Sequence, residues 1–159
     1  MNIFAIHYDP HQAARWHCDA HVVKMILESA QMLCTAHHVT GGTAPYRAAF
    51  AKHPCSIWVR ASRANYLWLA ELGIELCREY TARYGKAHAS EEVLRNLADN
   101  VPALPDRMMT PFAQAMPDEL KGHDPVQAYR RYYQTKRGGK LGTWRQNRPE
   151  WFTPQEEPR

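Results

Sequence analysis

No part of this chain restricts its fold more than the stretch from Asp9 to His38, DPHQAARWHCDAHVVKMILESAQMLCTAHH, which reads as one long helix with a single polar stripe. Asp9 is a good N-cap, and Pro10 stands at the first helical position, where its missing N–H costs nothing. From there His17, His21, Lys24, Glu28 and Gln31 recur at spacings that hold one face of a 3.6-residue helix. Nearly every other side carries Ala, Trp, Cys, Val, Met, Ile or Leu, and a helix apolar all round is usually buried. The stripe is then either a narrow strip reaching solvent or the floor of a cleft. Its composition favours the cleft, because a solvated strip carries Glu, Lys and Arg in numbers, whereas this one holds two imidazoles, an amine, a carboxylate and an amide. Asp19 lies about half a turn off the stripe among apolar neighbours, and a second carboxylate there needs a partner if it is buried.

At 159 residues, 45% of them hydrophobic and 11% aromatic, the chain is sized for one domain with a real core. We place that domain at residues 1–152, with a polar tail at 153–159. No run approaches the roughly 18 apolar residues of a membrane span, and residues 1–8 lack the regions of a signal peptide, so the chain reads as cytosolic. Cys18, Cys34, Cys55 and Cys77 form no C-x-x-C and fit reduced core thiols better than a disulfide framework.

Three further helices are expected to open on X-Pro. Asn2 to Tyr8 is a short apolar run, read as extended and tucked against the helices. Residues 39–52, broken by Gly41 and Gly42, form a loop with Pro45, Tyr46, Arg47 and Lys52. A second long helix is predicted from His53-Pro54 to about Tyr84, with Gly85 as its C′ residue. Its buried stripe of Trp58, Leu69, Leu72, Leu76 and Tyr80 contains Asn65, either a satisfied core amide or a group aimed into the cleft. His53 either caps this helix or faces a ligand. A short helix capped by Ser90 ends near Asn100; Thr110-Pro111 predicts a brief helix over PFAQAM, and Asp124-Pro125 starts the last one, ending at Gly138-Gly139.

The net charge of +4 is unevenly placed. Between Lys121 and Arg148 stand Lys121, Arg130, Arg131, Lys136, Arg137, Lys140, Arg145 and Arg148, with Asp124 the only acid. Such a basic surface is either solubilising or made for a polyanion. Tyr129, Tyr132 and Tyr133 interleave with these cations, and Trp144 and Trp151 follow. Rings for stacking beside cations for phosphates suit nucleic acid. Tyr129 and Tyr133 share a face and are expected inward, with Tyr132 exposed.

Several chemistries are open to the stripe. His17 and His21 at i and i+4 could hold one metal ion, with His53 or Glu28 as a third ligand, although no H-E-x-x-H is present. No Walker loop, G-x-G-x-x-G or serine elbow occurs, which disfavours phosphotransfer and hydride transfer. A carboxylate, an amine and an imidazole together suit cleavage of an N-glycosidic bond: the carboxylate stabilises the cationic sugar, and an amine attacking the same carbon gives an imine. Asp19 or Glu28 offers the carboxylate, Lys24 or the Met1 amino group the amine, and His21 or His53 the proton carrier.

In HCDAHVVK, in the proline-started HPCSIWVRASRANYLWLAELGIELCREYTARYGK and in the basic, aromatic RRYY and RPEWF, the chain resembles the pyrimidine-dimer DNA glycosylases of the phage endonuclease V type. The likeness in plan covers roughly residues 2–86 and the C-terminal segment. CDAHVVKMILE, HPCSIW, RYGKAHAS and PFAQAMPDE also look like a family of small phage-borne proteins, which adds a context of viral DNA metabolism. The resemblance implies a compact all-helical fold, extrusion of a nucleotide from the duplex and no cofactor. By position it places the family's catalytic glutamate nearest Asp19. It implies an N-terminal amine as nucleophile, although Asn2 should leave Met1 in place, and the family's helix arginines have no clear counterparts here.

These readings converge on an all-α, single-domain bundle that acts on DNA and removes or alters a pyrimidine base. Asp19, His21, Lys24, Glu28 and His53 are the catalytic candidates, and His17, Gln31, Asn65 and Met1 the substrate-binding ones. Arg130, Arg131, Tyr132, Lys136, Arg137, Lys140, Arg145 and Arg148 are the candidates for gripping DNA. The alternatives are an enzyme on nucleotides or nucleosides, with or without a metal on His17 and His21, and a non-enzymatic DNA-binding or host-interaction module.

Overall fold

The computed structural model describes residues 1–139 and 141–153. Among these residues six α-helices follow in chain order: α1 (Pro10–Trp16), α2 (Asp19–Val39), α3 (Pro54–Ala61), α4 (Arg63–Tyr84), α5 (Glu91–Asp99) and α6 (Pro125–Gln134), with a 3-10 turn at Asp118–Leu120. Among the described residues there is no strand, and the all-α expectation holds. No described helix is long and apolar enough to cross a membrane. Lys140 and residues 154–159, which include most of the expected tail, lie outside the described residues.

α4 is the axis of the bundle: α1, α2, α3 and α5 all pack on it. Its inner face carries Tyr66, Leu69, Leu72, Leu76 and Cys77, all essentially inaccessible. Gly73 faces α5 because a Cβ there would come within 2.8 Å of the Leu94 side chain. The N-terminal run is buried from Ile3 to Ile6 and threads between α2 and α6, with Phe4 stacked on His21 and edge-on to Tyr129. All four cysteines are buried free thiols.

The first predicted helix is two helices. His17 and Cys18 have extended backbone (ψ 135° and 159°) between α1 and α2, with neither glycine nor proline at the break. Distant side chains instead serve the carbonyls that α1 leaves unpaired. Arg83 donates to the carbonyls of Arg15 (2.9 Å) and His17 (2.8 Å), and the Trp144 indole to that of Trp16 (2.8 Å).

The second predicted helix divides in the same way at Ser62, which is extended (φ −153°, ψ 155°). Its hydroxyl caps α4 by accepting from Asn65 N at 3.0 Å, while the Asn65 side chain donates to Trp58 O at 2.8 Å, a terminal carbonyl of α3. The helix expected over PFAQAM does not form. Thr110 is held in a loop by Asn65 and by the Trp58 indole, and Phe112 packs against Trp58 and Trp68. Asp9, His53 and Asp124 accept from helix N–H groups as expected, and Gly85 closes α4 at φ +72°. Ser90 does not cap α5, because its hydroxyl is engaged by Tyr46 at 2.9 Å, and α6 stops at Gln134, short of Gly138-Gly139.

Candidate active site

The five stripe residues divide by depth. His17 is fully buried in the α1–α2 break, and its Nδ1 donates to Ala13 O at 2.6 Å. Its Nε2 is left buried without a partner. Burial pushes His17 down to about 4, and the nearby Arg83 charge adds to the fall. His21 is pushed down to about 2 by burial and by the charges of His17, Lys136 and Lys24. Its ring lies on Phe4, and its Nδ1 meets the Tyr133 hydroxyl at 2.8 Å. Both imidazoles are neutral core groups at pH 7, and among the described residues no three His, Cys, Asp or Glu side chains are placed to hold a metal ion.

Lys24, Glu28 and Gln31 carry the stripe outward. Glu28 Oε1 lies 3.8 Å from the Met1 amino group and 3.6 Å from Lys24 Nζ, so one carboxylate oxygen serves two amines. Its Oε2 accepts from Asn2 N at 3.2 Å. Asn2 fixes the Met1 position from the other side: its Nδ2 donates to Ala115 O (2.9 Å), and its Oδ1 accepts from Ile3 N (2.8 Å) and the Cys55 thiol (3.5 Å). The Tyr129 hydroxyl stands 3.0 Å from the same oxygen. Burial raises the Cys55 thiol and the Tyr129 phenol far enough to keep both protonated.

His53 completes the group from α3. Its Nδ1 accepts from Cys55 N at 3.1 Å, which makes it the cap and places the proton of the neutral ring on Nε2. Burial lowers its pKa and the charge of the Met1 amino group lowers it further, with Glu28 opposing. His53 is therefore the cap of α3, and the Met1 and Glu28 charges act on it in opposite directions.

Two expected members stand elsewhere. Asp19 is taken up by a latch: its Oδ1 accepts from Arg83 (3.0 Å) and from Arg145 N (3.0 Å). Glu79 binds the other side of Arg83 and accepts from Asn147 and Gln146. Asn65 is a satisfied core amide that also donates to Thr110 Oγ1 at 2.8 Å and accepts from Thr110 N at 3.0 Å.

The basic segment is less free than its composition suggests. Arg130 donates to Ile6 O and lies between Trp16 and Trp151, its guanidinium carbon 5.3 Å from each ring. Arg131 binds Leu120 O twice, and Arg145 lies 4.4 Å over Tyr84 and reaches Arg83 O. Arg137 is exposed, with bonds to Gln134 O and Thr153, and Arg148 borders a cavity of about 560 Å³ with Arg15, Trp16 and Trp151. Tyr129 and Tyr133 are buried and Tyr132 is half-buried. Lys136 covers Tyr132 (4.6 Å) and Phe4 (5.7 Å), and its charge is felt at His21 together with that of Lys24.

Asn2 and Tyr129 were not singled out by helix spacing as site residues. Asn2 acts through backbone and amide contacts that carry no periodic signal, and Tyr129 reaches the group across a sequence separation of 127 residues. No family model matches the chain, and comparison with curated proteins and with solved structures finds no match.

Proposed function

We propose that the protein excises a damaged or modified pyrimidine from DNA, using the Met1 amino group as nucleophile and Glu28 as its acid–base partner. The observation that carries this reading is the convergence of two amines on one half-buried carboxylate, with a neutral imidazole beside it. An amine attacks only when it has lost its proton, and a carboxylate at 3.8 Å is placed to take that proton and to balance the cationic sugar. Lys24 offers a second positive charge beside Glu28 and is the other amine open to attack.

In the proposed reaction the amine nitrogen bonds to C1′ as the C1′–N glycosidic bond breaks. The bonding pair leaves with the base, which takes up a proton, and Glu28, holding the proton lost by the amine, is the group able to supply one. Opening of the sugar ring then leaves a protonated imine between protein and deoxyribose. Loss of a C2′ proton from that imine expels the 3′ phosphate and cuts the strand, and water hydrolyses the imine. Lys24 beside Glu28, and Lys136 over the half-buried Tyr132, supply cations and a ring for the DNA strand.

End-labelled duplexes containing a pyrimidine dimer, an abasic site or a modified pyrimidine provide the test. Release of a base or cutting at the lesion is expected from wild type. A protein that binds these duplexes and alters none of them is a binding module, and one that acts on free nucleosides while ignoring duplexes is a nucleoside enzyme.

A further inference from the structure

Phe50 is the exposed large aromatic of the loop between α2 and α3, 69% accessible, and its φ is +50°. A bulky side chain in the left-handed region is an outlier that glycine or asparagine would relieve, and an exposed ring gains nothing from burial in return. Neither feature serves the fold, and the loop is otherwise firmly set. Ala49 N donates to Thr35 Oγ1 at 3.0 Å, and Phe50 O accepts from His53 N at 2.9 Å. The first bond ties the loop to α2 seven residues, or about 10 Å, beyond Glu28. The second ties it to the backbone of His53, whose ring accepts from Cys55 N, and the Cys55 thiol in turn donates to the side chain of Asn2, whose N–H meets Glu28. Exposed Arg47 and Lys52 flank the ring without an acidic partner among the described residues, and Leu27 and Ile57, 43% and 48% accessible, stand beside Glu28 and one turn beyond His53.

From this placement we propose that Phe50 is a wedge: it enters the base stack of duplex DNA beside the nucleotide presented to Glu28 and occupies the gap left by its extrusion. This rests on the base-excision reading above and names the positioning residue that reading lacks. An apolar side chain inserted between base steps offsets the loss of stacking, and this ring is exposed on a loop bonded to α2 and to His53. Arg47 and Lys52 then meet the phosphates on either side of the inserted ring.

The test compares binding to a duplex holding a tetrahydrofuran abasic analogue, with 2-aminopurine as its neighbour, against the same duplex intact. Wild type is expected to prefer the abasic duplex and to raise 2-aminopurine fluorescence as the neighbour unstacks. Phe50→Gly suits φ +50° and keeps the fold; it should lose about tenfold of that preference and the fluorescence change, and Phe50→Tyr should restore both. Wild-type preference retained in Phe50→Gly overturns the wedge, as does a wild type that does not distinguish the two duplexes. The base-excision reading fails separately: a wild type that shows the Phe50-dependent signal yet releases no base and forms no imine has the wedge without that chemistry.

Discussion

Glu28 owes its position to a short chain of contacts that begins with Asn2. The amide of Asn2 is fixed by Ala115 O and the Ile3 N–H, which sets the direction of Met1 and brings its amino group to the carboxylate. Glu28→Gln keeps the shape and removes the proton acceptor, so turnover is expected to fall by about 10²-fold or more while DNA affinity stays within a few-fold, measured by single-turnover kinetics and titration. Asp19→Asn is expected to do the reverse: turnover per folded molecule unchanged, and stability lowered in urea, because Asp19 partners Arg83. Helix spacing brought His17, His21, Lys24, Glu28 and Gln31 to one line but could not give their depth. The break at His17 turns the first two histidines inward, and only the outer three reach the candidate site.

At the scale of elements, two interruptions decide where the site can form. The Ser62 break was legible in part, since serine is a favoured N-cap; the His17–Cys18 break was not, because the groups that permit it come from Arg83 and Trp144. Arg83 is fully buried between Asp19 and Glu79, and removing it strands two carboxylates as well as the α1 carbonyls. Arg83→Met is therefore expected to cost about 3 kcal/mol or more in urea unfolding. The buried imidazoles predict a pH dependence of the same region. Both stay neutral in the folded state while the unfolded chain protonates them near pH 6.5, so stability is constant above that pH and falls as the pH drops below it. The decline continues to about 4 for His17 and about 2 for His21, at about 1.4 kcal/mol per pH unit for each. Thermal melts between pH 7 and 4.5 should show this slope, and His21→Phe should flatten it.

For the whole molecule, the all-α class and the X-Pro starts at Pro10, Pro54 and Pro125 were legible because local capping and periodicity determine them. The distribution of charge was legible only as a total. Arg130, Arg131 and Arg145 hold carbonyls and rings, whereas Lys24 pairs with Glu28, Lys136 lies over Tyr132, and Arg47 and Lys52 stand exposed in the loop before α3. If DNA runs over this face, Lys136→Ala should lower the slope of log affinity against log salt by about 0.9. Arg130→Ala should instead destabilise the fold by opening the gap between Trp16 and Trp151.

Borohydride reduction during reaction with an abasic or dimer-containing duplex, followed by peptide mapping of any protein–DNA adduct, tests the central claim most directly. One covalent adduct is expected, on the Met1 amino group, strongly reduced in Glu28→Gln. An adduct on Lys24 would keep the carboxylate and change the nucleophile; the absence of any adduct from a wild type that binds the same duplex would contradict amine catalysis at this site.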